Sequence, residues 1–227
     1  WGKEYGLENA RNIAEMHGRE PPLDITVKGS AMMEGIWEGQ RLLSSSIRLH
    51  TEKSVGEIEG YQDGAWWVQD TAASIPAKLF GNLKGQTAID LCAAPGGKTA
   101  QLAAAGAKVV AVDISEDRLE LLKDNLDRLN LNATIINSDV LDLGSNRLYD
   151  CILLDAPCTA TGTIRRHPDI NWLKKRNDLK SAMNTQSDLI RAAISMLAPG
   201  GRLIYSVCSL QPEEGPAQIE KIINDFK

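Results

Sequence analysis

The chain predicts a doubly wound α/β domain built on a parallel sheet and preceded by a small α+β lobe. Three observations carry that prediction. From about Ala65 onward, short apolar runs alternate with helical stretches, the pattern of strands joined by crossover helices. Three successive runs end in an aspartate (Asp113, Asp139 and Asp155), which puts an acid at the carboxyl end of each strand. The runs at 151–154 and 202–206 lead into Cys158 and Cys208, so two thiols should lie just past the same sheet edge. Ligands bind at that edge in open α/β sheets.

In chain order, residues 5–18 read as a short amphipathic helix stopped by Pro21-Pro22. LDITVK at 23–28 reads as a strand, AMMEGIWEG at 31–39 as a short helix and RLLSSSIRL at 41–49 as a strand, giving a lobe over residues 1–62. The main domain runs from 63 to 227. Its strands are expected at 87–93, 108–113, 133–139, 149–155 and 202–209. A helix at 98–106 ends at Gly106. Ser115 caps another, to about Asn130, with Glu116 and Asp117 favouring its positive end. A third, at 178–197, is stopped by Pro199-Gly200-Gly201.

Composition narrows the function. The hydrophobic content of 43% is ordinary for a globular protein. No run approaches the roughly 18 apolar residues of a membrane helix, and Trp1-Gly2-Lys3-Glu4 does not begin a signal peptide. A cytoplasmic protein without membrane contact is expected, and the missing initiator Met suggests a fragment. The cysteines, Cys92, Cys151, Cys158 and Cys208, form no CxxC pair, and no histidine stands at ligand spacing from them, so neither a metal site nor a disulfide framework is expected. The net charge of -5 argues against general nucleic-acid affinity. Residues 165–180 nevertheless carry six basic residues against two acids, directly after Cys158. Pro168 sets Arg165, Arg166 and His167 on a loop where they could hold phosphates. Trp66 and Trp67 are expected in the core rather than stacked on bases.

The first main-domain strand runs through Cys92 into Ala93-Ala94-Pro95-Gly96-Gly97-Lys98 and a helix. Glycines there admit a ligand close to the backbone, and the helix start offers N–H groups and a positive dipole. The turn is neither GxGxxG nor a P-loop. Asp113 is placed to accept ribose hydroxyls and Asp139 to bind an adenine amino group. Adenosine binding without a pyrophosphate turn points to S-adenosylmethionine rather than NAD. Cys151 reads as a small buried hydrophobe.

Taken together, DLCAAPGGKT (90–99), the stretch from Asp113 to Leu119 with Arg118, NSDV (137–140), LLDAPCTATGTIRRHPDINW (153–172) and YSVCSLQPEEG (205–215) resemble the serial motifs of RNA (cytosine-5) methyltransferases of the Sun/RsmB/NSUN type. GAWWVQDTAAS (64–74) matches their segment ahead of the cofactor strand. The resemblance spans about residues 20–220 and implies a Rossmann-like, S-adenosylmethionine-dependent methyltransferase fold. It implies that Cys208 attacks C6 of a flipped cytosine, that Asp155 hydrogen-bonds the base near N3, and that Cys158 helps remove the C5 proton and release the product. Cofactor contacts would come from Cys92 to Lys98, Asp113, Arg118, Asp139 and Asp155. DNA cytosine-5 methyltransferases use a single catalytic cysteine, so the pair favours RNA: ribosomal RNA first, transfer RNA as the alternative, with a monomer favoured. Val207 stands where the family usually has Thr, and Thr159-Ala160 where Ser-Gly is common. An N-terminal RNA-binding domain and further C-terminal strands are expected beyond the two ends. The rival readings are a methyltransferase of another substrate with structural cysteines, and a non-catalytic S-adenosylmethionine- or RNA-binding assembly factor.

Overall fold

The structure, a computed structural model, describes residues 1–29, 37–43, 45–144 and 147–225. In chain order the elements begin with α1 (Gly2–His17), β1 (Leu23–Val27), β2 (Gly39–Arg41), β3 (Ser46–Leu49), β4 (Trp66–Val68), α2 (Thr71–Lys78), β5 (Thr87–Leu91) and α3 (Gly97–Ala104). They continue with β6 (Lys108–Asp113), α4 (Glu116–Arg128), β7 (Ala133–Asn137), β8 (Tyr149–Asp155), α5 (Ile170–Leu173), α6 (Arg176–Ser195), β9 (Leu197–Ser206) and α7 (Pro216–Asp225). The chain forms two compact units. One comprises Trp1–Pro21, Ala156–Arg191 and Ser206–Lys227; the other comprises Pro22–Asp155 and Ala192–Tyr205. The helix expected at 31–39 falls largely outside the described residues.

The larger unit holds two sheets. The first has the order β2-β3-β1-β4. Ile25 of β1 lies opposite Ile47 on one side and Val68 on the other, both pairings antiparallel. The segment 41–49, expected as one strand, is instead a hairpin with Arg41 opposite Ile47. Its turn is closed by Leu42 N–H donating to Ser46 O and Ser46 N–H to Leu43 O. β4 lies beyond residue 62, so this sheet draws on residues from both sides of the boundary expected between lobe and main domain. Ile25, Val27, Leu49, Ile58 and Trp66 form its core, and the buried Trp66 indole satisfies its N–H on Glu59 O.

The second sheet has the order β7-β6-β5-β8-β9, with β5–β6, β6–β7 and β5–β8 all parallel. The chain winds outward from β5 to β7 and returns on the other side of β5 as β8, so the order reverses between β5 and β8. Leu91 lies opposite Val112 and Leu154, which brings the carboxyl ends of β5, β6 and β8 to one edge, as expected. α4 packs onto this sheet through Leu119, Leu122 and Leu126, joined by Leu129, Trp67 and Ala111. That spacing is one helical face, and each buried leucine contributes about 2 kcal/mol.

Several boundaries differ from the sequence expectation, most clearly at α1, α6 and β9. α1 starts at Gly2 and breaks at Gly6 (φ 79°), because the Trp1 carbonyl accepts from both Glu4 and Tyr5 N–H and adds an initial turn. α6 ends at Ser195, and Pro199-Gly200-Gly201 lie within β9 rather than between helix and strand. β9 ends the sheet order, and an edge strand tolerates proline because its missing N–H breaks no ladder. Ser115 holds the N-cap position of α4 without a side-chain cap bond; its own N–H is taken by Asp113.

In the smaller unit, α1 buries no residue, and Tyr5 Oη donates to Leu210 O at 2.7 Å. α6 buries Gln186, Leu189 and Ile190, and α7 buries Gln218 and Ile222. An ion pair between Arg191 and Asp225 ties these helices together. Among the described residues no helix is long and apolar enough to cross a membrane.

Candidate active site

In the larger unit the site begins at the turn after β5. Cys92 has φ 60° and Gly96 φ 100°, so the chain doubles back through left-handed conformations before α3. A Cβ on Gly96 would lie 2.8 Å from Leu122 Cγ, so glycine is required for both conformation and space. The turn is bolted to β6. Asp113 Oδ2 accepts the Ala94 N–H at 3.0 Å, and Arg118 Nη2 donates to the Ala94 carbonyl. Asp113 Oδ1 accepts the Ser115 N–H at 3.0 Å. Asp113, expected as a ribose acceptor, shapes the turn through these bonds. Asp139 caps the turn after β7 by accepting the Leu141 N–H at 2.9 Å.

Lys98, one residue into α3, reaches Asp155 at the end of β8 with Nζ–Oδ2 2.5 Å. The lysine side chain is 14% exposed and the carboxylate 34%, so the pair is only partly screened. Asp90, which the sequence reading passed over, is fully buried inside β5. Thr99 Oγ1 donates to its Oδ2 at 2.6 Å, while its Oδ1 has no protein partner. Burial pushes its carboxyl up to about 7 against the pull of Thr99 and Lys98, and Asp155 and Asp113 add repulsion. A carboxylate interrupting an apolar strand was the signal that could have found it. Cys92 is pushed up to about 12, first by burial and then by Asp113, Asp90 and Asp155, so it stays protonated. Three acids against Lys98 and Arg118, with an unpartnered buried carboxylate oxygen, suit a ligand carrying positive charge. Among the described residues no cluster of three or more acidic, histidine or cysteine ligands could hold a metal ion.

The thiols belong to the smaller unit. Cys158 Sγ and Cys208 Sγ are hydrogen-bonded at 3.4 Å across 50 residues of chain. Cys208 is exposed and Cys158 half-buried. Their loops are stitched by Ala156 N–H to Ser206 O and Gly162 N–H to Cys208 O, both 2.9 Å, and by Leu210 N–H to Thr161 Oγ1 at 2.9 Å. A Cβ on Gly162 would sit 2.8 Å from Cys208 O, so only glycine lets the loops approach this closely. The Cys158 thiol is held well above the ordinary range, first by its hydrogen bond to Cys208, then by burial, then by the charge on Cys208. Cys151 is buried, as expected.

Arg165 is half-buried, and Arg166 and His167 are exposed. Residues 166–178 are exposed throughout except Ile170, which anchors α5. Trp172 on that helix is 85% exposed, among Arg166, Lys174, Lys175 and Arg176. Its place inside a basic run was visible in sequence but went unremarked.

A family model described as 16S rRNA methyltransferase RsmB/F matches residues 79–227. Ribosomal RNA small subunit methyltransferase B of Proteus mirabilis is 41% identical over 188 residues, covering 81% of this chain and 44% of the relative. The protein of that name from Shigella flexneri is 37% identical over 232 residues, covering 95% of this chain and 54% of the relative. The chain thus spans about half the length of the curated relatives it matches. Among solved structures, a methyltransferase homolog protein from Pyrococcus horikoshii is similar with TM-score 0.84 at 29% identity, covering 97% of this chain and 75% of that one. The fold is the Rossmann-like fold of S-adenosylmethionine-dependent methyltransferases, as the sequence predicts. A family match that spans residues 79–227, well over half of the chain and with both cysteine loops inside it, makes the chain a member of the 16S rRNA methyltransferase RsmB/F family.

Proposed function

We propose that the protein methylates C5 of a cytosine in small-subunit ribosomal RNA through a covalent bond between Cys208 and C6. The observation that carries this reading is the thiol pair at 3.4 Å, one sulfur exposed and the other half-buried. Cytosine C5 is a poor nucleophile until a nucleophile adds at C6, and a thiolate is the side chain suited to do so. With Cys158 S–H as the donor in the sulfur–sulfur contact, the bond would stabilise a thiolate on Cys208 and so activate it. Once Cys208 is bonded to C6 it carries no charge and no longer competes for the Cys158 proton. Two of the three causes that hold Cys158 protonated then disappear, leaving burial. Cys158 can then release its own proton to water and, as a thiolate, take the C5 proton; the C–H electrons form the C5–C6 double bond and the Cys208–C6 bond breaks to return a thiolate on Cys208. Asp155, neutralised by Lys98, would hydrogen-bond the base near N3.

S-adenosylmethionine supplies the electrophilic methyl group. Residues Cys92 to Lys98, Asp113, Arg118 and Asp139 would hold its nucleoside, while Asp90 and Asp155 would face its positive charge. Arg165, Arg166 and His167 would contact RNA phosphates, and a ribosomal RNA substrate places the enzyme in the cytoplasm. Trp172 would offer a stacking face to an unpaired base. Trp172→Ala is expected to weaken RNA binding about tenfold, consistent with roughly 1–3 kcal/mol per stacked base, and to leave S-adenosylhomocysteine binding alone. Fluorescence anisotropy with labelled RNA measures the change, and an unaltered affinity would remove Trp172 from the interface.

The reading is tested with small-subunit RNA carrying tritium at cytosine C5. Methylation should release tritium to water in step with methyl incorporation. Methyl transfer without tritium release would place the product elsewhere on the base and end the covalent C5 reading.

A further inference from the structure

We infer that Glu214 is a positioning residue that holds the two thiols in register, an inference that rests on the covalent reading of Cys208 and Cys158. Glu214 is fully buried, on the short turn Pro212–Glu214 that precedes α7. Its Oε1 accepts the Thr159 backbone N–H at 2.8 Å and Gln186 Nε2 at 3.0 Å. Its Oε2 accepts the hydroxyls of Thr159 and Ser209. Thr159 directly follows Cys158, and Ser209 directly follows Cys208. The other hydrogen of the Gln186 amide goes to the Pro157 carbonyl at 3.0 Å, the residue before Cys158. The Thr159 and Ser209 hydroxyls stand 3.0 Å apart, each with its one hydrogen directed to Oε2. One carboxylate is thus tied to the residue after each thiol and, through Gln186, to the residue before one of them.

Apolar packing could hold two loops together, and burying a carboxylate is costly without such donors. What the carboxylate adds is direction: each bond fixes a donor within a few tenths of an ångström, and short charge-assisted bonds are the stiffest available. A sulfur–sulfur contact of 3.4 Å depends on that stiffness, because the two loops are remote in sequence.

The donors also predict how substitutions differ. The two N–H groups on Oε1 can only donate, whereas the two hydroxyls on Oε2 can turn and accept. A glutamine with its carbonyl oxygen at Oε1 and its amide nitrogen at Oε2 therefore satisfies the whole set. An alanine leaves the Thr159 N–H buried and unpaired.

The test measures thiol proximity directly. In the absence of RNA, the oxidant diamide takes the two thiol hydrogens, becoming the hydrazine, and leaves a Cys158–Cys208 disulfide that peptide mass spectrometry quantifies. Glu214→Ala is expected to slow disulfide formation at least tenfold and to lower kcat at least a hundredfold. The KM for RNA and the binding of S-adenosylhomocysteine should stay near wild type. Glu214→Gln should recover most of both losses. Should Glu214→Ala unfold, the Thr159→Val/Ser209→Ala pair, which removes only the hydroxyl donors, must slow disulfide formation in its place. Disulfide formation at the wild-type rate in Glu214→Ala, or in that pair if it is the one that folds, overturns the inference. Slowed disulfide formation in a protein that proves not to methylate cytosine C5 leaves the positioning intact and strikes down the functional reading instead.

Discussion

Cys158→Ala is expected to accumulate a covalent protein–RNA adduct that survives denaturing electrophoresis, while Cys208→Ala forms none. Both should lose more than about a thousandfold in turnover, as removal of a covalent catalyst typically does. The asymmetry follows from the thiol geometry. With Cys158 absent, Cys208 still reaches C6, although it loses the hydrogen bond that stabilises its thiolate, so adduct formation should also need higher pH than in the wild type. What stops is removal of the C5 proton. With Cys208 absent, Cys158 is half-buried and has no role in attack, so nothing forms. Replacing both must abolish the adduct, which shows that the sulfur in it is Cys208. An adduct in Cys208→Ala and none in Cys158→Ala would reverse the assignment. No adduct in either, with methylation retained, would refute covalent catalysis.

Asp90→Asn is expected to act in opposite directions on stability and on cofactor binding. Burial holds the Asp90 carboxyl at about 7, against an ordinary 3.8. A carboxyl raised in the folded state keeps its proton there while the unfolded chain has lost it. Its contribution is therefore most favourable below about pH 4, declines as pH rises toward 7 and is constant above. The gap corresponds to an amount on the order of 4 kcal/mol. Wild-type stability should fall more steeply than that of Asp90→Asn between pH 4 and 7, and the ligand-free variant should melt several degrees higher at pH 8. S-adenosylmethionine, by contrast, should bind the variant about tenfold more weakly, because the carboxylate with an unpartnered oxygen is gone. Thermal melts across pH, with and without S-adenosylmethionine, read both effects. Parallel pH profiles for the two proteins would show that Asp90 is ionised throughout and the explanation is wrong.

How far the sequence speaks depends on the reach of each interaction. The strands 108–113 and 149–155 lie where the apolar runs put them, because a strand buried on both faces must be apolar along its length and its ends are marked by Asp113 and Asp155. The segment 41–49 reads as one strand because β-propensity does not say where a serine-rich run turns, whereas it belongs to a hairpin. β9 was started too late because Pro199 and Gly200 look like a stop, and only its place at the sheet edge makes them harmless. Motif spacing pointed to Lys98, Asp113, Cys158 and Cys208 as site candidates. It gave no sign of the Lys98–Asp155 pair, the bond from the Ala94 N–H to Asp113 or the Glu214 hydrogen bonds, since each joins residues remote in sequence whose partners are chosen by the fold. Asp90 and Trp172 were the two cases in which a visible anomaly, a charge in an apolar strand and an aromatic in a basic run, was passed over.

The bond from Tyr5 to Leu210 joins residues 205 positions apart in sequence. A ribosome adding roughly 5–20 residues per second needs on the order of 10–40 s to make the stretch between them. During that interval α1, which buries nothing of its own, has no C-terminal segment to rest against. α1 can therefore settle only after Leu210 has been made. Anything that holds α1 elsewhere would delay completion of the unit that carries both thiols, without touching a residue of the sheet.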